Sequence, residues 1–298
     1  MIKFLKSHLL LLVLGLFLCT ASQAQTLAPF VSNITPQALA CDGKGNLYVN
    51  LSGQNSIIGF KTDGSSFVLP SGAQGLNNPV GLACDTSGNL YVANATDGAN
   101  TSNGPTVGSP ATFIKISTNG SVSTVASISS MNNVSALAID AFGNLYETNE
   151  TYGNGADQVT KISPTGQLIN LCNNDYYGQP NTVTCDALGN VYFHDGLSTL
   201  YEITPSGQVS SFKDIKDLTA LTADAYGNIY LGYTTSTETI NQAIYNSLDY
   251  STQQNFNTYI QYGYDAVFVA GAMGLDPNLV TTTTTGYVSR ISSNGYTY

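Results

Sequence analysis

Short runs of alternating apolar and polar residues recur along this chain, and five of them end in the same turn signature. The runs begin at residues 38, 81, 136, 182 and 220, and each continues into Asp-x-x-Gly-Asn and then a second apolar segment that carries a tyrosine. Aspartate can bond its own turn backbone, while glycine and asparagine tolerate the left-handed backbone of a tight hairpin. The pattern therefore predicts a strand, a tight turn and a second strand in each repeat.

A second shared segment follows each hairpin. It reads TFIKISTNG at residues 112–120 and QVTKISPTG at 158–166. In the second repeat it is followed by SVSTVA at 121–126. This indicates a third strand, a glycine turn and a fourth strand. Four antiparallel strands in a repeat of this length are typical of one blade of a β-propeller.

A sixth, more divergent repeat is found near the end of the chain. Residues 266–270 (AVFVA) resemble a first strand, 278–280 the start of a second, and 287–295 a third, with the third strand of blade five expected near 243–250. We therefore predict an all-β, six-bladed propeller spanning residues 25–298 as one domain. Five blades with one long insertion is the alternative. Pairing of residues 26–31 with the C-terminal segment would close the ring and remove a free sheet edge.

The first 24 residues read as a signal peptide. Lys3 and Lys6 precede an apolar core at residues 9–18, and Ser22-Gln23-Ala24 offers small residues for cleavage. Ten apolar residues are too few to span a bilayer. We expect a secreted or periplasmic protein without a membrane span. Its net charge of −10 argues against nucleic acid as a partner.

Four cysteines follow the predicted cleavage site: Cys41, Cys84, Cys172 and Cys185. An even number in an exported protein permits two disulfides. Three of them occupy the same repeat position, however, and equivalent positions in packed sheets lie roughly 10 Å apart, beyond disulfide reach. We therefore expect buried free thiols, with disulfide pairing left open.

The segment NNPVGLACDTSGNLYVAN at residues 77–94 resembles an NHL repeat, in which Pro-x-Gly-apolar-Ala-x-Asp precedes Gly-Asn-apolar-Tyr-Val. The resemblance implies a propeller related in fold to the SMP-30/gluconolactonase-like proteins. It implies no single activity, because similar propellers serve as interaction platforms, as gluconolactonase-like hydrolases and as lyases.

Candidate binding residues collect on one face of the predicted propeller. Polar residues at the entrances of the inner strands are expected to ring the channel mouth: Gln37, Ser135, Asn181, Thr219 and Asp265, with Asp217 beside them. Tyrosines on the loops of that face offer large contact area at low entropic cost: Tyr152, Tyr176, Tyr177 and Tyr233. Loops on a rigid scaffold are where binding residues concentrate.

The sequence leaves two functions open. Asp265, Asp217 and Asn181 are the candidate calcium ligands, but hard cations favour several carboxylates and this ring has few. The prediction is therefore a monomeric, non-catalytic binding module without a required cofactor, whose loops bind a protein, peptide or glycan. The alternative is a calcium-dependent hydrolase, lactonase or lyase of the SMP-30-like type.

Overall fold

The Asp-x-x-Gly-Asn turns organise every blade of the computed structural model. In blade three, Asp140 Oδ1 accepts hydrogen bonds from the Phe142 and Asn144 amides, both at 2.9 Å, and Oδ2 accepts from the Asn144 side chain at 2.7 Å. The Tyr146 hydroxyl donates to Oδ2 at 2.9 Å. Gly143 has φ 81°, a backbone conformation that glycine adopts without strain. The predicted strand–turn–strand unit is confirmed.

The structure describes residues 36–51, 55–69, 75–95, 110–129, 131, 134–149, 158–173, 179–224, 226–261 and 266–292. Four sheets each contain four antiparallel strands in chain order. Blade one comprises β1 (Pro36–Cys41), β2 (Leu47–Leu51), β3 (Ile57–Phe60) and β4 (Ser66–Val68). Blade two comprises β5 (Pro79–Cys84), β6 (Leu90–Asn94), β7 (Ala111–Ile116) and β8 (Val122–Ile128). Blade three comprises β9 (Val134–Ile139), β10 (Leu145–Asn149), β11 (Gln158–Ile162) and β12 (Leu168–Asn173). Blade four comprises β13 (Thr182–Cys185), β14 (Val191–His194), β15 (Thr199–Ile203) and β16 (Val209–Asp214).

The fifth blade corrects the predicted number of blades. Its described strands are β17 (Leu218–Ala223), β18 (Ile229–Ile240) and β19 (Val280–Ile291), in that order across the sheet. Strand β19, which contains most of the segment expected to form the third strand of blade six, pairs with β18 along its whole length, from Ile229↔Ile291 to Ile240↔Val280. The described residues thus form a five-bladed propeller with a long insertion, as the alternative stated, and the six-blade prediction is wrong.

Helices fill the insertion between β18 and β19: α1 (Gln242–Ser247), α2 (Tyr250–Gln261) and α3 (Ala266–Ala272). Residues 243–250 and 266–270 were expected to be strands, and they are mostly helical because side chains satisfy the first amides of each helix. Asn241 accepts from the Ala243 and Ile244 amides, and Asp249 from the Ser251 and Thr252 amides. The carboxylate of Glu238 on β18 accepts from the first two amides of α3, at 3.0 and 3.3 Å.

Apolar clusters hold neighbouring blades together. The inner strands β1, β5, β9, β13 and β17 pack in sequence and line a central cavity of about 440 Å³. Large buried side chains fill the interfaces between blades one to five, and a separate cluster around Phe256 and Leu279 forms the core of the insertion. No helix in the described residues is long and apolar enough to cross a membrane.

The predicted pairing of the chain termini is not tested by the structure, whereas the prediction of buried free thiols is. The segments 26–31 and 293–298, which were expected to close the ring, lie outside the described residues. All four cysteines are free thiols. Cys172 is buried and Cys84 and Cys185 are partly buried, but Cys41 is exposed, contrary to the prediction of four buried thiols.

Candidate functional site

A pocket of about 430 Å³ opens on blade five. Its walls are the end of β16, the segment that joins it to β17, the middle of β18 and one residue of β19. The volume is in the range of small-molecule sites, which are roughly 300–1,000 Å³. The residues that supply chemistry are Lys213, Asp214, Lys216, Asp217, Tyr233, Ser236 and Ser289.

His194 fixes the segment that carries the pocket's charged residues. The His194 ring is 1% exposed, with Nδ1 accepting from the Gly196 amide at 3.1 Å and Nε2 lying 2.9 Å from the Ile215 carbonyl oxygen. Because Nδ1 accepts a hydrogen bond, the proton of a neutral ring belongs on Nε2, which donates to Ile215. The Ile215 amide in turn donates to the Ser198 carbonyl at 2.7 Å. Both ring nitrogens are therefore used in positioning the segment next to Lys216 and Asp217.

Asp217 and Tyr233, both predicted from the sequence, are brought together by this pocket. Asp217 has φ 52°, which is uncommon for a residue with a side chain, and its carbonyl accepts from the Thr234 amide at 3.2 Å. The Tyr233 hydroxyl lies 3.2 Å from Ser289 Oγ, and its ring stacks on Tyr287 with centroids 5.5 Å apart. The exposed residue Asp217 thus lines the same pocket as the hydroxyl pair of Tyr233 and Ser289.

The other residues that were predicted to surround the channel mouth, where the structure describes them, do not line this pocket. Ser135 is held between blades, since its hydroxyl lies 2.9 Å from the Thr148 hydroxyl and donates to the Pro180 carbonyl at 3.1 Å. Thr219 donates to the Gly232 carbonyl at 3.0 Å. Asn181 is exposed, and its amide donates to the His194 carbonyl at 3.2 Å. Gln37 is also exposed and accepts a long hydrogen bond of 3.5 Å from Asn50.

Four predicted ligand residues cannot be placed. Asp265, Tyr152, Tyr176 and Tyr177 lie outside the described residues, so their part in a binding site stays a prediction.

The two lysines of the pocket were not predicted from the sequence. Lys213 and Lys216 lie within four positions of each other in a chain that has only 9 basic residues against 19 acidic ones. The available signal was the segment KDIKD, which places two lysines and two aspartates within five residues of a chain that is poor in charge. Ser289 was not recognisable, because it lies in the repeat that was assigned to a sixth blade.

The described residues do not fit a calcium site. Calcium takes six to eight oxygen ligands, usually including several carboxylates. Among the described residues, no three His, Cys, Asp or Glu side chains come close enough together to hold a metal ion. Of the predicted set, Asp217 shares its pocket with two lysines, Asn181 lies outside that pocket, and Asp265 is not described. We therefore derive no step through calcium.

Burial changes the pKa of a second carboxyl group, that of Glu147. It lies on β10, is 0% exposed, and neither carboxyl oxygen has a hydrogen-bond partner within the described structure. The equivalent residues in the other blades are apolar: Val49, Val92, Phe193 and Leu231. Burial raises the pKa of Glu147 to about 8. The Thr160 hydroxyl on the paired strand opposes the shift, although it forms no hydrogen bond to the carboxyl group at normal geometry. Glu147 lies between blades two and three, on the same face of its strand as Leu145, and not in the pocket of blade five.

Known proteins resemble this chain in fold. No protein-family model and no curated protein matches the chain. A gluconolactonase from Xanthomonas campestris has a TM-score of 0.52 and 16% identity, covering 65% of this chain and 67% of its own. The calcium-binding protein regucalcin from Agrobacterium tumefaciens has a TM-score of 0.50 and 15% identity, covering 69% of each chain. A virginiamycin B lyase from Staphylococcus aureus has a TM-score of 0.47 and 14% identity, and this chain spans only 65% of its length.

These comparisons change the choice between the two predicted functions. A gluconolactonase is among the propellers with the higher structural similarity, so the preference for a non-catalytic binding module is corrected in favour of its enzymatic alternative. At these identities the likeness extends to the fold alone, and the argument for an enzyme has to come from the pocket residues. What the comparisons establish is that this chain is a β-propeller of the architecture shared by gluconolactonase-like proteins.

Proposed function

We propose that this protein is an exported hydrolase that opens a lactone or a similar small ester in the pocket of blade five. The observation that carries the proposal is the convergence of Asp217, Tyr233 and two lysines on one pocket of about 430 Å³. An acid–base pair and a cation on a concave surface are the parts that ester hydrolysis requires.

The charged groups each have a role in this reaction, and the Tyr233 hydroxyl forms part of the pocket wall. The Asp217 carboxylate acts as general base and takes a proton from the attacking water. The water oxygen bonds to the ester carbonyl carbon, and the ammonium group of Lys213 or Lys216 stabilises the negative charge that develops on the carbonyl oxygen. The ring carbon–oxygen bond then breaks, and the proton passes to the leaving oxygen. The product is a hydroxy acid, whose carboxylate the lysines can pair with.

Asp217 can be replaced without disturbing the backbone of the pocket. Asparagine tolerates the left-handed backbone found at Asp217 as well as aspartate does, so Asp217→Asn keeps the segment's conformation. The change removes the base and little else. Asp63→Asn, on an exposed turn of blade one, is the matched control.

The test is a hydrolysis assay on a panel of five- and six-membered sugar lactones, followed through acid release. General-base catalysis typically contributes about 10²–10⁴-fold, so Asp217→Asn should lower kcat by that factor, whereas Asp63→Asn should leave it unchanged. Lys216→Gln should raise KM for anionic substrates. Wild-type turnover that survives Asp217→Asn would overturn the assignment, as would the absence of turnover across the panel.

A lyase reaction, the other activity in the enzymatic alternative, would use the same carboxylate to remove a proton from carbon. Heavy-oxygen water separates the two reactions, because hydrolysis incorporates solvent oxygen into the product acid and elimination does not. Repeating the assay in chelator and then in excess calcium tests the predicted ligands Asp265, Asp217 and Asn181. Chelator-sensitive turnover would show that residues beyond the described ones complete a metal site.

A further inference from the structure

Strand β18 continues well beyond the length of its equivalents. The second strands of blades one to four have four or five residues, whereas β18 has twelve and pairs with β19 along its whole length. The additional residues begin beyond Tyr233, which occupies the position of Leu51 in blade one and Asn94 in blade two. We call residues 233–240 of β18 and 280–287 of β19 the ribbon. At 3.4 Å per residue the ribbon is about 24 Å long.

The two faces of the ribbon differ because successive strand residues point to opposite sides. On one face, Glu238 caps helix α3, and Ile240 and Val280 belong to the apolar cluster of the insertion. The insertion therefore supports this face. The other face, which we call the hydroxyl face, consists of four cross-strand pairs: Tyr233 with Tyr287, Thr235 with Thr285, Thr237 with Thr283, and Thr239 with Thr281. All six threonines are exposed, and the hydroxyl face carries no charged side chain.

The hydroxyl face continues directly from the pocket of blade five. Tyr233, Thr235 and Ser289 are on the same side of the sheet and line that pocket. The Tyr287 ring stacks on the Tyr233 ring with centroids 5.5 Å apart, and Tyr287 is still 46% exposed. From the pocket outward, the register thus places a tyrosine pair first and then three rows of paired threonines.

This combination of groups suits the chemistry of a sugar chain. A sugar ring has apolar C–H faces and hydroxyl groups at its edges. Tyrosine offers large contact area at low entropic cost, and each threonine hydroxyl can both donate and accept a hydrogen bond. The threonine rows repeat about every 6.8 Å along the ribbon. A charged ligand would find no opposite charge on the hydroxyl face, and a wholly apolar ligand would leave the hydroxyls without partners. The face therefore favours a neutral, hydroxyl-rich chain.

We propose that the hydroxyl face binds a neutral oligosaccharide whose terminal lactone ring lies in the pocket. This inference rests on the proposed function and specifies its substrate class: the lactone at the oxidised end of an oligosaccharide. Water bonds to the lactone carbonyl carbon, the ring carbon–oxygen bond breaks, and the proton passes to the leaving ring oxygen. The product is an oligosaccharide that ends in a hydroxy acid. The remaining sugar units lie along the ribbon and are unchanged.

Calorimetric titration with sugars that contain no lactone tests the hydroxyl face independently of turnover. The probes are cellohexaose and maltohexaose, and the full chain should bind at least one of them. Thr283→Val keeps a β-branched side chain but removes a hydroxyl from the hydroxyl face, so it should weaken binding about two- to tenfold. Tyr287→Ala should weaken it by a similar factor through loss of ring contact.

Thr282→Val is the matched control, because Thr282 is also exposed but pairs with Glu238 on the opposite face of the same strand. It should leave the dissociation constant unchanged. Equal weakening by Thr282→Val and Thr283→Val would overturn the proposal, and so would the failure of both hexasaccharides to bind.

Chain-length dependence then connects the hydroxyl face to the reaction. The lactones of glucose, cellobiose and cellotriose, and those of maltose and maltotriose, should show kcat/KM rising with chain length through a lower KM. This increase should be lost in Tyr287→Ala and kept in Tyr226→Ala, whose tyrosine is 83% exposed on a turn. Turnover that is independent of chain length would overturn the oligosaccharide assignment and leave the hydrolase standing. Hexasaccharide binding without turnover of any lactone would support the hydroxyl face and overturn the hydrolase.

Discussion

Replacing Glu147 by glutamine removes the ionisable group that burial perturbs most clearly in this protein. In the folded state the pKa of Glu147 is raised to about 8 from an ordinary value of 4.5. Below about pH 4.5 both folded and unfolded states hold the proton, and the group adds no pH dependence. Between these values the unfolded chain releases the proton and the folded protein retains it, so the stability falls as the pH rises.

The magnitude follows from the shift. One pKa unit corresponds to about 1.4 kcal/mol, so at neutral pH the buried carboxyl lowers the free energy of unfolding by about 3 kcal/mol, and by about 5 kcal/mol above pH 8. Glu147→Gln should therefore equal the wild type near pH 4.5 and exceed it by about 3 kcal/mol at pH 7. Glu147→Leu, which restores the residue type of the other blades, should add the gain from apolar burial.

Urea denaturation of the wild type and both variants across this pH range measures the effect. Asp63→Asn is the control, because the pKa of Asp63 is lowered below its ordinary 3.8 and the group does not titrate in this window. If the stability of the wild type does not fall between pH 5 and 8 relative to Glu147→Gln, the reasoning fails. The carboxyl would then have a partner, such as a buried water or cation, between blades two and three.

Three further predictions concern hydrogen bonds that hold the fold and the pocket. Asp140→Ala removes the acceptor of four hydrogen bonds in the blade-three turn and should lower the free energy of unfolding by about 2–3 kcal/mol in urea, with Asp140→Asn closer to wild type; equal losses in both variants would contradict this. Glu238→Ala should destabilise the insertion by about 1 kcal/mol through loss of the cap of α3, seen as faster amide hydrogen exchange there and not in blade two. His194→Ala should lower kcat for lactone hydrolysis while His194→Gln, which keeps a donor toward Ile215, retains more of it; identical losses would argue against a positioning role.

The repeat could be predicted from the sequence because local chemistry determines it. Aspartate, glycine and asparagine at fixed spacing specify the turn, and the alternating apolar residues specify the strands on either side. The number of blades could not be predicted in the same way. The run AVFVA at 266–270 is equally compatible with a strand and with a buried helix, and the deciding contact, from Glu238, comes from 28 residues earlier in the chain.

The residues of the pocket could likewise be predicted only where local sequence identifies them. Asp217 and Tyr233 could be selected because they stand at ends of predicted strands. The contribution of Ser289 depends on the pairing of β18 with β19, which brings together residues 56 positions apart. Asn241 and Asp249, which accept hydrogen bonds from the first amides of α1 and α2, are residue types typical of helix N-caps, so the sequence does carry a local signal for these two helices.

At the tips of the Asp-x-x-Gly-Asn turns, the backbone and the side chain of one residue have different roles. In each turn the residue two positions after the aspartate donates its amide to the carboxylate, while its own side chain points to solvent. The five tip residues are Lys44, Ser87, Phe142, Leu188 and Tyr226, which share no chemical character. This face of the propeller is therefore a set of rigid attachment points whose side chains are free to vary, and foreign recognition residues could be grafted onto consecutive blades without disturbing the sheets beneath them.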